Sequence, residues 1–247
     1  MKAKTSLIYG LHPVNEAVRS GKPIDKILMK KGFRNELTPG LFPAMREQNI
    51  PFQYVPVEKL NRMTGGNHQG IIAIVSAVEY TDLDKLVPML FEQGKLPCLV
   101  LLDNITDVRN LGAIARSAEC AGFDAMVIPS KGSAQINSDA IKTSAGALNT
   151  LAVCRVNNLE ETAKYLKNSG FQLIAATEKS EEHLYAVDFS KPTVIIMGSE
   201  DTGIDPKLMR LADKPVKIPM MGAIQSLNVS AAATVLFFEV VRQRMPR

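Results

Sequence analysis

The chain has too few cysteines and histidines for a metal or disulfide framework. Its three cysteines, Cys98, Cys120 and Cys154, are far apart and odd in number, and only three histidines accompany them. None of the spacings that hold zinc is present, so no metal is expected and all three cysteines read as small core residues. No apolar run reaches the ~18 residues that a membrane span needs. Met1–Gly10 has lysines but no apolar stretch suited to a secretory signal, so a cytoplasmic location is expected. Internal repeats and low-complexity tracts are missing as well. So are a phosphate-loop lysine motif and a GxGxxG after the first strand of the second segment, which counts against nucleotide triphosphatases and ordinary dinucleotide enzymes.

Charge is present but unevenly placed. Residues 1–88 carry 12 Lys and Arg against 8 Asp and Glu, whereas residues 89–247 carry 17 of each. The excess positive charge therefore sits in the first third, as in a module that touches a polyanion, although such an excess also merely aids solubility.

The hydrophobic pattern divides the chain into residues 1–80, a connection over 81–97 that ends in a helix, and residues 98–247. The first part alternates short strands and helices: strands at 6–9, 26–29, 52–55 and 71–78, helices at 12–20, 36–48 and 58–63. This pattern predicts a small α/β/α sandwich. Pro13 falls in a first helical turn, where its missing N–H is harmless. A Gly-rich polar turn, Thr64–Gln69, precedes the last of these strands. The second part opens with an almost wholly apolar run, 96–103, that fits a strand buried on both faces. Further strands are read at 125–128, 151–153, 171–176, 193–197 and 217–218, with helices between them and a long last helix at 226–244 capped by Ser226. Such alternation predicts an α/β fold with a parallel sheet.

Ligands of open α/β sheets bind beyond the carboxyl ends of the strands, and three such ends carry unusual polar residues. The first holds Asn110, Gly112 and Arg116. A helix mouth with a nearby arginine suits an anion, but Asn110 also reads as a simple cap and Arg116 as a solvated side chain. The second runs from an apolar strand into Gly198, Glu200 and Gly203, either a close backbone approach to a ligand or an ordinary glycine turn. The third contains Ile218, Pro219 and Met220, apolar enough to line a flat ring, followed by Ser226 and Asn228 at the mouth of the last helix; a capped core helix would look the same.

Taken in order, N-x-G-x-x-x-R over Asn110–Arg116, G-x-E-x-x-G over Gly198–Gly203 and S-L-N-V-S over Ser226–Ser230 resemble the signature of the SpoU (TrmH-type) RNA 2′-O-ribose methyltransferases of the SPOUT class. Gly10–Ala17 and His68–Ile71 resemble the family's substrate-binding extension, a shape related to ribosomal RNA-binding proteins. Two departures are Val108 where many relatives have proline and Ala115 where they often have leucine. The resemblance implies a deep trefoil knot near the C-terminus and a homodimer built partly on the last helix. It implies S-adenosylmethionine as methyl donor, held by Gly198, Ile218, Met220, Leu227 and Thr177. The catalytic candidates that it implies are Asn110, Arg116, Glu200, Ser226 and Asn228, with Glu200 either holding its loop or pairing with Arg116. His12, Asn67, His68, Gln69 and Arg109 become candidates for RNA contact, although Asn67, His68 and Gln69 read as readily as a hydrogen-bonded turn. The RNA expected is large-subunit ribosomal RNA, with transfer RNA as the alternative substrate and a silent RNA-binding assembly factor as the alternative role.

Overall fold

A computed structural model describes residues 6–33 and 37–245. Two compact units emerge: one comprises the chain up to Glu79 together with Ile136–Ser138, the other Tyr80–Gln135 and the chain from Asp139 onward.

The first unit contains β1 (Leu7–Tyr9), α1 (Leu11–Arg19), β2 (Ile24–Lys30), α2 (Thr38–Glu47), β3 (Phe52–Val55), α3 (Val57–Met63) and β4 (Ile71–Val75). The sheet order is β1-β4-β2-β3, with β4 antiparallel to both its neighbours and β2 parallel to β3. Side chains alternate across a strand, so β4 serves two cores at once. Ile71 and Ala73 pack with Val14, Val18, Leu41 and Met45 of α1 and α2, while Ile72 and Ile74 pack with Leu60 of α3. The layering is α/β/α. The expected start of the second helix at Glu36 lies outside the described residues.

The second unit contains α4 (Leu83–Glu92), β5 (Cys98–Leu102), α5 (Val108–Cys120), β6 (Ala125–Pro129), α6 (Ser138–Thr143), β7 (Ala152–Val156), α7 (Leu159–Asn168), β8 (Gln172–Ala176), β9 (Thr193–Met197), α8 (Pro206–Met209), β10 (Lys214–Val216) and α9 (Val229–Arg244). Six strands in the order β10-β8-β9-β5-β6-β7 pair in parallel throughout. β5 and β9 lie at the centre and are buried along their whole length, which explains their unbroken apolar sequences. One face of the sheet packs against Leu86 and Leu90 of α4, Ala163 and Leu166 of α7, and Leu208 of α8. The other carries α5 and α9, joined by the Phe123 and Phe237 rings at 4.3 Å and a Ser117–Thr234 hydroxyl pair at 2.7 Å. No helix among the described residues is long and apolar enough to cross a membrane.

Four details differ from the sequence-based expectations. The connecting helix is part of the second unit's core, its Leu83, Leu86, Val87 and Leu90 all buried. The last strand is Lys214–Val216, because Val216 pairs with Ala176 and Lys217 instead bridges to His183. The last helix begins at Val229: Asn228, in non-helical conformation, accepts from the Ser230 N–H and is the cap, leaving Ser226 outside the helix. Finally, Cys98 and Cys154 are core residues whose thiols burial pushes up to about 12, but Cys120 is exposed on the last turn of α5, on the solvent side with Arg116.

Candidate active site

The polar segments singled out in the sequence lie at the carboxyl edge of the parallel sheet. β5, β9, β8 and β10 are consecutive neighbours there. Their ends lead respectively to Asn110, to Gly198 and Glu200, to Thr177, and to the segment Ile218–Asn228.

Asp107 fixes the first position. Its carboxylate caps α5 by accepting from the N–H groups of Arg109 at 2.6 Å and Asn110 at 3.2 Å. Those backbone bonds, Arg109's foremost, hold its carboxyl below the usual range. The sequence carried a signal for this residue, an Asp just before a helical period, which was not read as a cap. Asn110 thereby stands in the first turn of α5, half-exposed.

A tight turn after β9 fixes the second. The Gly203 N–H donates to the Ser199 carbonyl at 2.9 Å, and the Ser199 and Thr202 hydroxyls meet at 2.8 Å. A Cβ on Gly198 would lie 2.2 Å from the Gly203 carbonyl carbon, so only glycine lets this turn close. The closed turn presents Glu200. Its Oε1 accepts from Asn228 Nδ2 at 2.6 Å, from the Val229 N–H at 3.0 Å and from Asn110 Nδ2 at 3.4 Å. Asn228 Nδ2 also donates to Asn110 Oδ1 at 3.0 Å. A carboxylate here also complements the positive end of α9.

Asn110, Glu200 and Asn228, separated by up to 118 positions, thus form one hydrogen-bonded cluster. Asn228 is fully committed within it. Both its amide hydrogens are given away, and its oxygen accepts from the Ser230 N–H at 3.0 Å and the Ser230 hydroxyl at 2.5 Å. Asn110 retains an amide hydrogen and an acceptor lone pair.

Arg116 is not in the cluster. Six residues turn an α-helix through 600°, so Arg116 faces a third of a turn away from Asn110. It is exposed and makes no hydrogen bond or ion pair among the described residues, and Glu200 binds the mouth of α9 instead of pairing with it. Arg109, seven residues earlier and paired with Asp107 at 3.6 Å, shares its solvent-facing side. Ser226 is exposed, and no bond of its hydroxyl is formed.

The donor-site candidates line the same edge. The Thr177 N–H donates to the Val216 carbonyl at 2.9 Å, which draws the ends of β8 and β10 together. Beyond them Ile218 and Met220 are half-buried, and Leu227 is 40% exposed. Among the described residues no backbone N–H from Ile218 to Asn228 has an acceptor. Unpaired backbone N–H groups beside apolar side chains suit a nucleoside-like group bound through the main chain.

In the first unit the Gly-rich turn is held by its own side chains. His68 is buried, its Nδ1 accepting from the Gly70 N–H at 2.9 Å and its Nε2 donating to Asn61 Oδ1 at 2.7 Å. Gln69 Oε1 accepts from the Leu11 N–H at 2.8 Å, fastening the turn to the start of α1. His12 and Asn67 are exposed.

Comparison with known proteins decides the family. The SpoU rRNA Methylase family matches residues 97–238. A Staphylococcus aureus protein with the provisional name of TrmH family tRNA/rRNA methyltransferase is 35% identical over 240 residues, 97% of this chain and 96% of its own. The chain belongs to the SpoU family. This SpoU protein also carries the family's RNA 2′-O-ribose methyltransferase substrate-binding domain over residues 7–81, and is an RNA 2′-O-ribose methyltransferase. The SpoU methyltransferase AviRb of Streptomyces viridochromogenes, solved in complex with AdoMet, superposes with a TM-score of 0.62 at 25% identity, over 96% of this chain and 90% of that one. The TrmH/SpoU tRNA modifying enzyme of A. aeolicus gives 0.55 at 32% identity, over 66% of this chain and 84% of its own.

Proposed function

We infer that this SpoU protein methylates a ribose 2′-hydroxyl of ribosomal RNA in the cytoplasm, with S-adenosylmethionine as donor, as a homodimer. The observation that carries this reading is the Asn110–Glu200–Asn228 cluster, which locks the mouths of α5 and α9 to the turn after β9 beside a row of unpaired backbone N–H groups.

The donor supplies an activated methyl group with a good leaving group. The segment Ile218–Leu227, Gly198 and Thr177 would hold it through main-chain groups, with Ile218 and Met220 offering apolar surface to its ring. The chain's remaining work is alignment and charge. Asn110 offers its free amide hydrogen and lone pair to the ribose. Ser226 offers its hydroxyl. Glu200 and Asn228 position Asn110 and the start of α9 and make no bond to RNA. Arg116, with its guanidinium donors free, contacts a phosphate and stabilises negative charge growing on the attacking oxygen. A guanidinium with a pKa of ~12.5–13.8 is a poor base, so the proton leaves to a phosphate oxygen or water. The segments from β9 to α9 form the trefoil knot, in keeping with β10 and β9 flanking β8 out of chain order.

The first unit selects the RNA, through His12 and Asn67; His68 and Gln69 shape the turn that presents them. Ribosomal RNA is favoured by the family's own description and by the added substrate-binding domain, whereas the tRNA-modifying relative shares 66% of this chain. The dimer rests on α9, where Ala231 and Phe238, seven apart, are exposed on one side, with exposed Met245 just past the helix end.

The test is tritium transfer from labelled S-adenosylmethionine to RNA from a strain lacking the gene. Transfer to large-subunit RNA by the wild type, with Arg116→Ala at least a hundredfold slower and still binding donor, is expected. Donor binding without transfer to any RNA would make the protein a silent RNA-binding factor.

A further inference from the structure

We propose that Asn104 is a specificity-determining residue that reads the base of the acceptor nucleotide, assisted by Gly132 and Lys131; this rests on the methyltransferase reading above.

Asn104 stands two residues past the end of the central strand β5 and adopts φ 55°, a left-handed conformation that non-glycine residues rarely take. The loop after β6, the neighbouring strand, comes against it. Gly132, at φ 80°, lies so near that a Cβ there would be 2.7 Å from Asn104 Oδ1. The two loops are tied by the Ala134 N–H donating to the Ile105 carbonyl at 2.8 Å. The carboxamide of Asn104 is therefore set in place by a glycine, yet it is exposed and makes no hydrogen bond among the described residues. Lys131, next to Gly132, is exposed and forms no ion pair.

Strand order says what meets this carboxamide. The donor candidates sit at the ends of β9, β8 and β10, to one side of β5. Asn110 and Asn104 both follow β5, and Gly132 follows β6 on the other side of β5. A hydroxyl attacking the methyl from beyond Asn110 brings its own base and flanking phosphates over β5 and β6. A carboxamide offers a donor and an acceptor side by side, which matches a base edge; a phosphate presents acceptors only. Lys131 fits the phosphate.

The decisive variant is Asn104→Gly, because glycine takes φ 55° without penalty and the fold is kept. On large-subunit ribosomal RNA from a strain lacking the gene, kcat/KM is expected to fall about tenfold. Donor affinity by calorimetry should stay unchanged, and methylation, mapped by resistance to alkaline cleavage, should spread to further nucleotides. Gly132→Ala, which pushes the carboxamide aside, should act in the same direction. Wild-type kcat/KM and a single methylated position in Asn104→Gly would overturn the inference, as would a matching loss of donor affinity. Wild-type enzyme that transfers methyl to no RNA would overturn the methyltransferase reading and this inference together.

Discussion

At the scale of residues, the site divides side chains that are used up from those left free. Asn228 has no hydrogen-bonding capacity to spare, so its removal should act through Asn110 and the start of α9. Asn228→Ala is expected to destabilise the fold by about 1 kcal/mol as a lost cap, read by urea unfolding, and to lower kcat with little change in RNA affinity. A rise in KM alone would contradict this positioning role. Asp103 gives a second prediction. It is buried at the end of β5, accepts from the Asp205 N–H at 2.7 Å, and burial holds its carboxyl above the usual range. Its contribution to stability is therefore full below the unfolded-state pKa and is lost as pH rises through the folded-state value. Asp103→Asn can keep the bond without the buried charge, so it should raise the melting temperature at pH 7 and leave it unchanged at pH 3. Asn110, Glu200 and Asn228 were legible in the sequence as polar residues at strand ends. That Glu200 binds α9 and not Arg116 was hidden, because partner choice across 28 residues depends on how a turn folds. His68 read either as an RNA contact or as part of a hydrogen-bonded turn, and nothing local reveals that both its ring nitrogens are taken.

At the scale of elements, most strands and helices followed from hydrophobic period and punctuation, and the misses sit at boundaries. Ser226 was expected to cap the last helix, but geometry selects Asn228, two residues on, whose oxygen reaches the Ser230 N–H. β10 is three residues long with Pro215 in it, too weak a pattern to locate before its pairing with β8 is seen. The turn after β9 carries the third prediction. Gly198→Ala forces a methyl group into the Gly203 backbone, so the turn must open. Loss of donor binding by calorimetry is expected, with a stability decrease of about 2 kcal/mol or more. Retention of both would mean that the turn does not shape the donor site.

At the scale of the whole molecule, the α/β class and the two-part organisation could be read from alternation and from a change of charge along the chain. Strand order could not: nothing in the sequence says that β9 pairs with β5 while β8 and β10 lie beyond it, because parallel pairing is decided between distant segments. The basic first third predicts that RNA affinity falls steeply with salt, by about tenfold or more between 50 and 200 mM, in filter binding. Phe238→Arg should interrupt the exposed apolar side of α9 and give monomers in sedimentation velocity. Dimers that persist would move the interface elsewhere.

The far end of α9 is held as firmly as its mouth. Arg244 donates to the carbonyls of Leu96, Phe189 and Lys191 at 2.6–2.9 Å, and Gln243 to that of Val187 at 2.9 Å. Sixteen residues make a rod of about 24 Å, pegged at one tip to the amino side of the sheet and at the other to Glu200. A late stop codon or a proteolytic nick around Gln243 would therefore do more than trim a tail. It would pull the peg from a strut whose opposite tip is bonded to Asn110 and Glu200, and activity is expected to fail from across the molecule.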